Sequence, residues 1–258
     1  MAYHRRTVFR TPLLGWQQLT LLEAASDWSD DYRVDSPRLL LPLTRCFECS
    51  LGDARFTCDA GAALWLTPEQ PYRMRRPWVG QRVAVLAIEA DLGSARRAPV
   101  PLATHWSLAR WAHAWAAGSL EPLALEERLA ALMQSLFHDT SAEPVRPHRA
   151  VERARDFIAS EPARRHTLAD IAQAVHCSPF HLARTFRANT GTSLHGFRTQ
   201  LRLAEAVERL RDGERDLNAL AADLGFSSHS HFSAVFRRRF GVPPSQLRTN
   251  LTAASVAP

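Results

Sequence analysis

Residues 167–191 read TLADIAQAVHCSPFHLARTFRANTG, and residues 216–248 read DLNALAADLGFSSHSHFSAVFRRRFGVPPSQLR. These are two versions of one pattern. Ala172, Leu182, Phe186 and Gly191 in the first copy answer to Ala221, Phe232, Phe236 and Gly241 in the second. The offset is 49 residues at Ala172 and 50 from Leu182 onward. The second copy therefore holds one extra residue in its turn. A degenerate repeat of this period is one supersecondary unit used twice.

Each copy predicts helix, tight turn, helix. In the first, Thr167 caps a helix and Asp170, three residues on, supports a capping box. Leu168, Ile171, Ala172 and Val175 form an apolar stripe at helical spacing. The turn is His176-Cys177-Ser178, after which Ser178 caps a second helix with Pro179 at its first position. That helix buries Leu182 and Phe186 and stops near Gly191. In the second copy Asp216 caps, and Leu217, Leu220 and Leu224 form the stripe. Gly225 ends the first helix, and Ser227 or Ser228 begins the next, which buries Phe232, Val235, Phe236 and Phe240.

With the buried stripes assigned, the outer faces become readable. Phe180, His181, Arg184 and Arg187 lie on the outer face of one second helix. His229, Ser230, Ser233, Arg237 and Arg238 lie on that of the other. Polar or hydrogen-bonding side chains come first and arginines follow. A helix entering a DNA major groove needs that order, base-edge readers before phosphate clamps. A solvated amphipathic helix would show the same face once; two in tandem favour the nucleic acid.

The repeat, and above all GFSSHSHFSAVFRRRFGVPPSQLR, resembles the C-terminal signature of the AraC/XylS family of bacterial transcription regulators. Gly225, Phe226, Phe232, Phe236, Phe240, Gly241, Pro244 and Arg248 carry the likeness, which spans roughly residues 147 to 250. It implies a two-lobed domain binding double-stranded DNA, with both recognition helices in successive major grooves. The family's base-reading positions fall on Phe180, Ala183 and Arg184, and on His229, Ser230, Ser233 and Ala234. Ala183 and Ala234 depart from the longer polar residues common there. Most of the family are activators that contact RNA polymerase.

Charge supports the same end of the chain. The chain has 258 residues and a formal charge of +6, with every basic residue an arginine. Residues 146–250 hold 17 arginines against 10 carboxylates, and the remainder is near neutral. Such a basic concentration is the electrostatic footprint expected of a DNA-binding part. MAYHRRTVFRTPLLGW lacks the apolar core of a signal peptide, and no apolar run approaches the roughly 20 residues that span a bilayer. A cytoplasmic protein with reduced cysteines and no membrane contact is expected.

Residues 1 to about 95 read as strands: Leu19–Leu22, a polar turn SDWSDD, then RLLLPLTRCFECSL, ARFTCDAGAALWLT and RVAVLAIEA. Gly, Pro and Asp separate them. Many short strands at this spacing predict a small barrel or sandwich. The run from Cys58 through Gly61, Pro68 and Pro71 to Tyr72 resembles a cupin-type ligand-binding motif. That likeness implies a domain sensing a small-molecule effector, with Trp65 and Tyr72 as candidate pocket residues.

Residues 106 to 138 switch to helical spacing. Leu108, Trp111 and Trp115 make one stripe; Leu125, Leu129, Leu132 and Leu136, with Met133 and Phe137, make another. Such stripes are core in most helices. At this place in the family they also form dimer contacts, which implies a homodimer through Leu125, Leu129, Leu132 and Leu136. SAEPVRPH at 141–148 reads as the interdomain linker. The expected organisation is α+β: a cupin-like barrel or sandwich over 1–100, a helical linker and dimerisation region over 101–140, and an all-α double helix-turn-helix domain over 147–250.

Two other chemistries compete with this reading. Cys46, Cys49 and Cys58 on neighbouring strands invite a metal or redox sensor, although strand alternation sets Cys46 and Cys49 on opposite faces. Cys177 falls in a helix-turn-helix turn, where a small buried residue is expected. A metal-dependent cupin enzyme needs clustered histidines, and there is no histidine between residues 5 and 104. No catalytic residue, metal or cofactor is therefore expected.

Overall fold

A computed structural model describes residues 2–89, 92–137 and 148–246. The elements run β1 (Tyr3–Arg10), β2 (Leu14–Leu21), β3 (Arg38–Pro42), β4 (Phe47–Leu51), β5 (Ala54–Cys58), β6 (Ala62–Leu66), β7 (Tyr72–Arg75), β8 (Arg82–Ile88) and β9 (Arg96–Pro99). The helices follow: α1 (Leu102–Ala116), α2 (Pro122–Phe137), α3 (Arg149–Ser160), α4 (Leu168–Ala174), α5 (Pro179–Thr190), α6 (Leu194–Arg211), α7 (Leu217–Asp223) and α8 (His229–Phe240). Apart from His148, the linker expected at 141–148 lies outside the described residues, as does Arg248.

The strands form two antiparallel sheets, one ordered β1-β2-β8-β3-β6-β9 and one β5-β4-β7. Alternation along the strands explains the uninterrupted apolar runs. Leu40, Leu64, Leu66, Val83 and Val85 point from the large sheet toward Phe47, Cys49 and Phe56 of the small one. Leu39, Leu41, Trp65, Ala84 and Leu86 point the other way, against α1 and α2. Both faces of the central strands are covered, so neither can be polar.

Three strands are not announced by the sequence: β1 and β9, the outer strands of the large sheet, and β7, an outer strand of the small one. Their sequences, YHRRTVFR, YRMR and RRAP, are basic, as befits outer strands. The strand read at Leu19–Leu22 begins at Leu14 instead, and Leu22 lies beyond it, exposed.

A third core joins α3 through α8. It extends into the first half of the molecule, taking in Cys46, Ala60, Leu102 and Ala109, with Trp78 and Trp106 packed against it. Trp106 of α1 stacks on Phe240 of α8, with ring centroids 5.3 Å apart. Buried ion pairs reinforce the joint. Arg97 of β9 grips Glu152 of α3 with two bonds of 2.6 and 2.8 Å, and Glu152 also accepts from the Thr57 backbone N–H. Arg155 of α3 meets Asp59 at 2.8 Å, and Asp59 accepts from the Gly61 N–H.

Candidate nucleic-acid interface

The two helix pairs are built alike because their caps are alike. Thr167 Oγ1 accepts from the Asp170 N–H while the Asp170 carboxylate accepts from the Thr167 N–H, the capping box expected. These bonds hold the Asp170 carboxyl below its ordinary value. Asp216 caps α7 through the N–H groups of Asn218 and Ala219. Ser178 accepts from the His181 N–H at the start of α5, and Ser228, not Ser227, does so from His231 at the start of α8. Both second helices are 12 residues long and end on a left-handed glycine, Gly191 and Gly241. The extra residue of the second copy falls between α7 and α8, so the offset changes from 49 to 50 at the turn.

The buried stripes hold each pair to the body. Leu182, Phe186, Phe232 and Phe236 are fully buried, and Phe186 packs edge-on to Phe197 of α6. Leu168 departs from the expected stripe: it stands 40% exposed at the first position of α4, beyond the packed turn. Arg202 of α6 ties the two pairs together. Its guanidinium donates to the carbonyls of Pro162 and Ala163 beside the first pair and of Gly225 in the second turn. Burial lowers its pKa to about 10, so it stays charged near neutrality. Nothing local marked Arg202 in the sequence, because its acceptors are backbone carbonyls distant in the chain.

The outer faces of α5 and α8 are open. Phe180, at 91% exposure, stands clear of any core. His181, Arg184 and Arg187 are exposed on α5, and Ser230, Arg237, Arg238 and Arg239 on α8. His229 and Ser233 are half-buried and bonded to each other, His229 Nε2 to Ser233 Oγ at 3.2 Å. Ser227 Oγ and His231 Nδ1 are likewise paired at 2.9 Å. The first helix thus presents an exposed arginine, Arg184, in its middle, and the second presents small polar groups already bonded along their own helix.

Comparison with known proteins bears on these helices. The helix-turn-helix domain family matches residues 171–250. Regulatory protein SoxS of Escherichia coli is 40% identical over 81 residues, which is 31% of this chain and 76% of SoxS. The chain belongs to the AraC/XylS family of transcription regulators. An AraC-like protein of Streptomyces lividans is 33% identical over 111 residues, 43% of this chain. The match spans about a third of that relative's length, 35%. Among solved structures, ToxT from Vibrio cholerae O395 aligns over 92% of this chain and 98% of its own, at 14% identity and a TM-score of 0.40.

The family positions outside the helix pairs are distributed differently from expectation. Trp65 and Tyr72 are not brought together. Trp65 is wholly buried against α2, its Nε1 donating to the Gly93 carbonyl at 2.9 Å and its ring 5.5 Å from that of Phe137. Tyr72 packs on the opposite side of the large sheet, paired with Tyr32. The odd sequence position of Trp65 in β6 turns it toward the helices, which is why the two separate.

The leucine stripe of α2 also faces inward. Leu125 and Leu129 have no accessible surface to offer another chain, because both fill the core between α1, α2 and the large sheet. Leu132 and Leu136 are half-buried there, and Leu123 is exposed.

Cys46, Cys49 and Cys58 are all buried. Cys46 lies in the core that includes the C-terminal helices, whereas Cys49 and Cys58 sit between the two sheets. Burial pushes the Cys49 thiol up to about 12 and those of Cys46 and Cys58 up as well. That disfavours the thiolate needed for metal binding or oxidation. Cys177 is half-buried in the first turn. Among the described residues no group of three or more His, Cys, Asp or Glu side chains is placed to hold a metal, and no helix is long and apolar enough to cross a membrane.

Proposed function

We propose that this chain is a sequence-specific transcription regulator acting on double-stranded DNA in the cytoplasm. The observation that carries the reading is the pair of capped helices α5 and α8, equal in length, with arginine-bearing outer faces free of packing. Each is the recognition helix of a helix-turn-helix unit, and the two enter successive major grooves. Phe180, His181 and Arg184 read bases in one groove; His229, Ser230 and Ser233 read the other. Arg187, Arg237 and Arg238 bind phosphates.

The N-terminal unit, residues 1–100, is a cupin-like domain that senses a small effector, joined through residues 101–140 to the DNA-binding domain at 147–250. The regulator works as an activator in contact with RNA polymerase. It assembles as a homodimer through the outer edge of α2, where Leu123, Leu132 and Leu136 keep apolar surface. Selection of bound sequences from a random duplex library tests the central reading. It should return a two-part site whose halves lie one helical turn apart, about 10–10.5 bp. A library that yields no enriched sequence would refute it.

A further inference from the structure

Where the connection between β3 and β4 meets the C-terminal helices there is a groove of about 390 Å³. Three parts of the molecule wall it. Leu43 and Arg45 come from the connection between β3 and β4, Pro162 from the connection between α3 and α4, and Leu201, Glu205 and Leu224 from α6 and the end of α7. Most charge in the groove is matched internally. Arg209 pairs with Glu214 and Asp223, and Arg164 with Glu161.

Two groups of opposite sign remain. Glu205 is half-buried, and among the described residues its carboxylate accepts no hydrogen bond and joins no ion pair. Burial pushes that carboxyl above its ordinary value, and Arg45 is the largest of the charges opposing the rise. Arg45 does not close onto it. Instead its guanidinium donates to the Ser160 carbonyl at 3.4 Å and lies over the Trp78 ring. The Arg45 backbone has φ 60, a left-handed conformation that disfavours any side chain. Glycine would hold this turn with less strain, so the guanidinium is kept here at a conformational cost, as at many ligand sites.

We propose that this groove is the effector site and takes a small zwitterion of the amino-acid type. Its carboxylate meets Arg45, its ammonium meets Glu205, and an apolar side chain lies on Leu43, Leu201 and Leu224. This rests on the reading of the chain as an effector-responsive regulator. A molecule with one charge would leave the other group, half-buried Glu205 or exposed Arg45, to its present surroundings, whereas a zwitterion engages both. An occupant touching the sheet unit, the α3–α4 connection, α6 and the end of α7 also binds differently as their arrangement changes, which is the requirement for coupling effector to DNA.

The test uses the whole chain, thermal melting and four probes: L-leucine, L-phenylalanine, phenethylamine, which keeps only the cation, and 3-phenylpropanoate, which keeps only the anion. At millimolar concentration the amino acids should raise the melting temperature by several degrees through mass action, and the single-charge probes should not. Glu205→Gln, which keeps shape, and Arg45→Gly, which relieves the turn, should each abolish the shift. No shift with either amino acid, an equal shift with phenethylamine alone, or a shift that survives in both variants would overturn the assignment. Binding to the selected DNA is measured alongside. A chain that binds DNA but ignores both amino acids refutes the groove and leaves the regulator standing; a chain that binds no DNA refutes the regulator.

Discussion

His176 and Gly225 hold the same place in the two turns, 49 residues apart, and both adopt a left-handed backbone, with φ 57 and 75. The turn requires that conformation at this point because the chain must leave one helix and start the next within a few residues. Only the second position is also sterically closed. A Cβ on Gly225 would lie 2.1 Å from the Ala163 carbonyl oxygen, which Arg202 holds in place.

The two positions should therefore respond oppositely to substitution. Gly225→Ala meets both the backbone penalty and fixed backbone atoms, and should destabilise by more than about 3 kcal/mol. His176→Gly removes the left-handed strain but adds unfolded-chain entropy, so it should be neutral or stabilise by up to about 1 kcal/mol. Urea unfolding of both variants checks this, and a Gly225→Ala chain as stable as the wild type would show that the turn relaxes.

Phosphate contact predicts a salt effect. Arg187, Arg237 and Arg238 are exposed on α5 and α8. Changing any one to Ala should weaken specific and random DNA alike and lower the slope of log affinity against log salt by about 0.9. Unchanged slopes in all three variants, from fluorescence anisotropy across a salt series, would remove the assignment.

Specificity should be unequal between the half-sites. Arg184 is exposed on α5, whereas His229 and Ser233 on α8 are bonded to each other. A bidentate arginine to guanine discriminates by about 1–3 kcal/mol, so the half read by α5 should contain a near-invariant G·C pair and the other should tolerate change. Arg184→Ala should relax that pair while leaving random-DNA binding nearly unaltered. Selected sites with equal information in both halves would contradict the division.

The joint between β9, β5 and α3 should be sensitive to losing one partner of an ion pair. Arg155→Ala leaves the wholly buried Asp59 with the Gly61 N–H as its remaining bond, which should cost about 3–5 kcal/mol. Adding Asp59→Asn to Arg155→Ala removes the stranded charge and keeps an acceptor for the Gly61 N–H, so the double variant should cost clearly less than Arg155→Ala alone. Denaturant titrations that rank the two the other way would show that the charge pair is not what matters there.

His105 predicts an acid dependence of stability. It is wholly buried, with Nε2 2.7 Å from the Ala60 carbonyl, and burial lowers its pKa to about 4. The unfolded chain protonates it near the ordinary 6.5, so between these values the unfolded state binds more protons. The stability that this group contributes is present above pH 6.5 and is lost toward pH 4, at most about 1.4 kcal/mol per pH unit. Glu208 acts in the opposite direction: burial raises it to about 7, and its contribution is lost as pH rises toward that value. Comparison with His105→Gln isolates the histidine. The stability difference between wild type and variant should shrink on acidification, and a constant difference in melts across pH would refute the assignment.

Legibility in the sequence followed the range of the interactions. The helix pairs, their caps and the outward arginines were readable because capping, helical periodicity and turn chemistry act within a few residues. Thr167 with Asp170, and Ser178 with the His181 N–H, are bonds three residues long. The apolar runs of β3, β6 and β8 likewise announced buried strands. What those strands bury against was not readable. One residue of register decides whether Trp65 faces the helices or joins Tyr72 between the sheets, and whether Leu129 serves this chain's core or another's is decided by where α2 lands. Asp59 with Arg155, Arg97 with Glu152, Arg202 with Gly225, and the Arg45 and Glu205 walls of the groove join residues 23 to 160 positions apart. No local pattern encodes such pairs, because only the packed chain brings their charges within reach of one another.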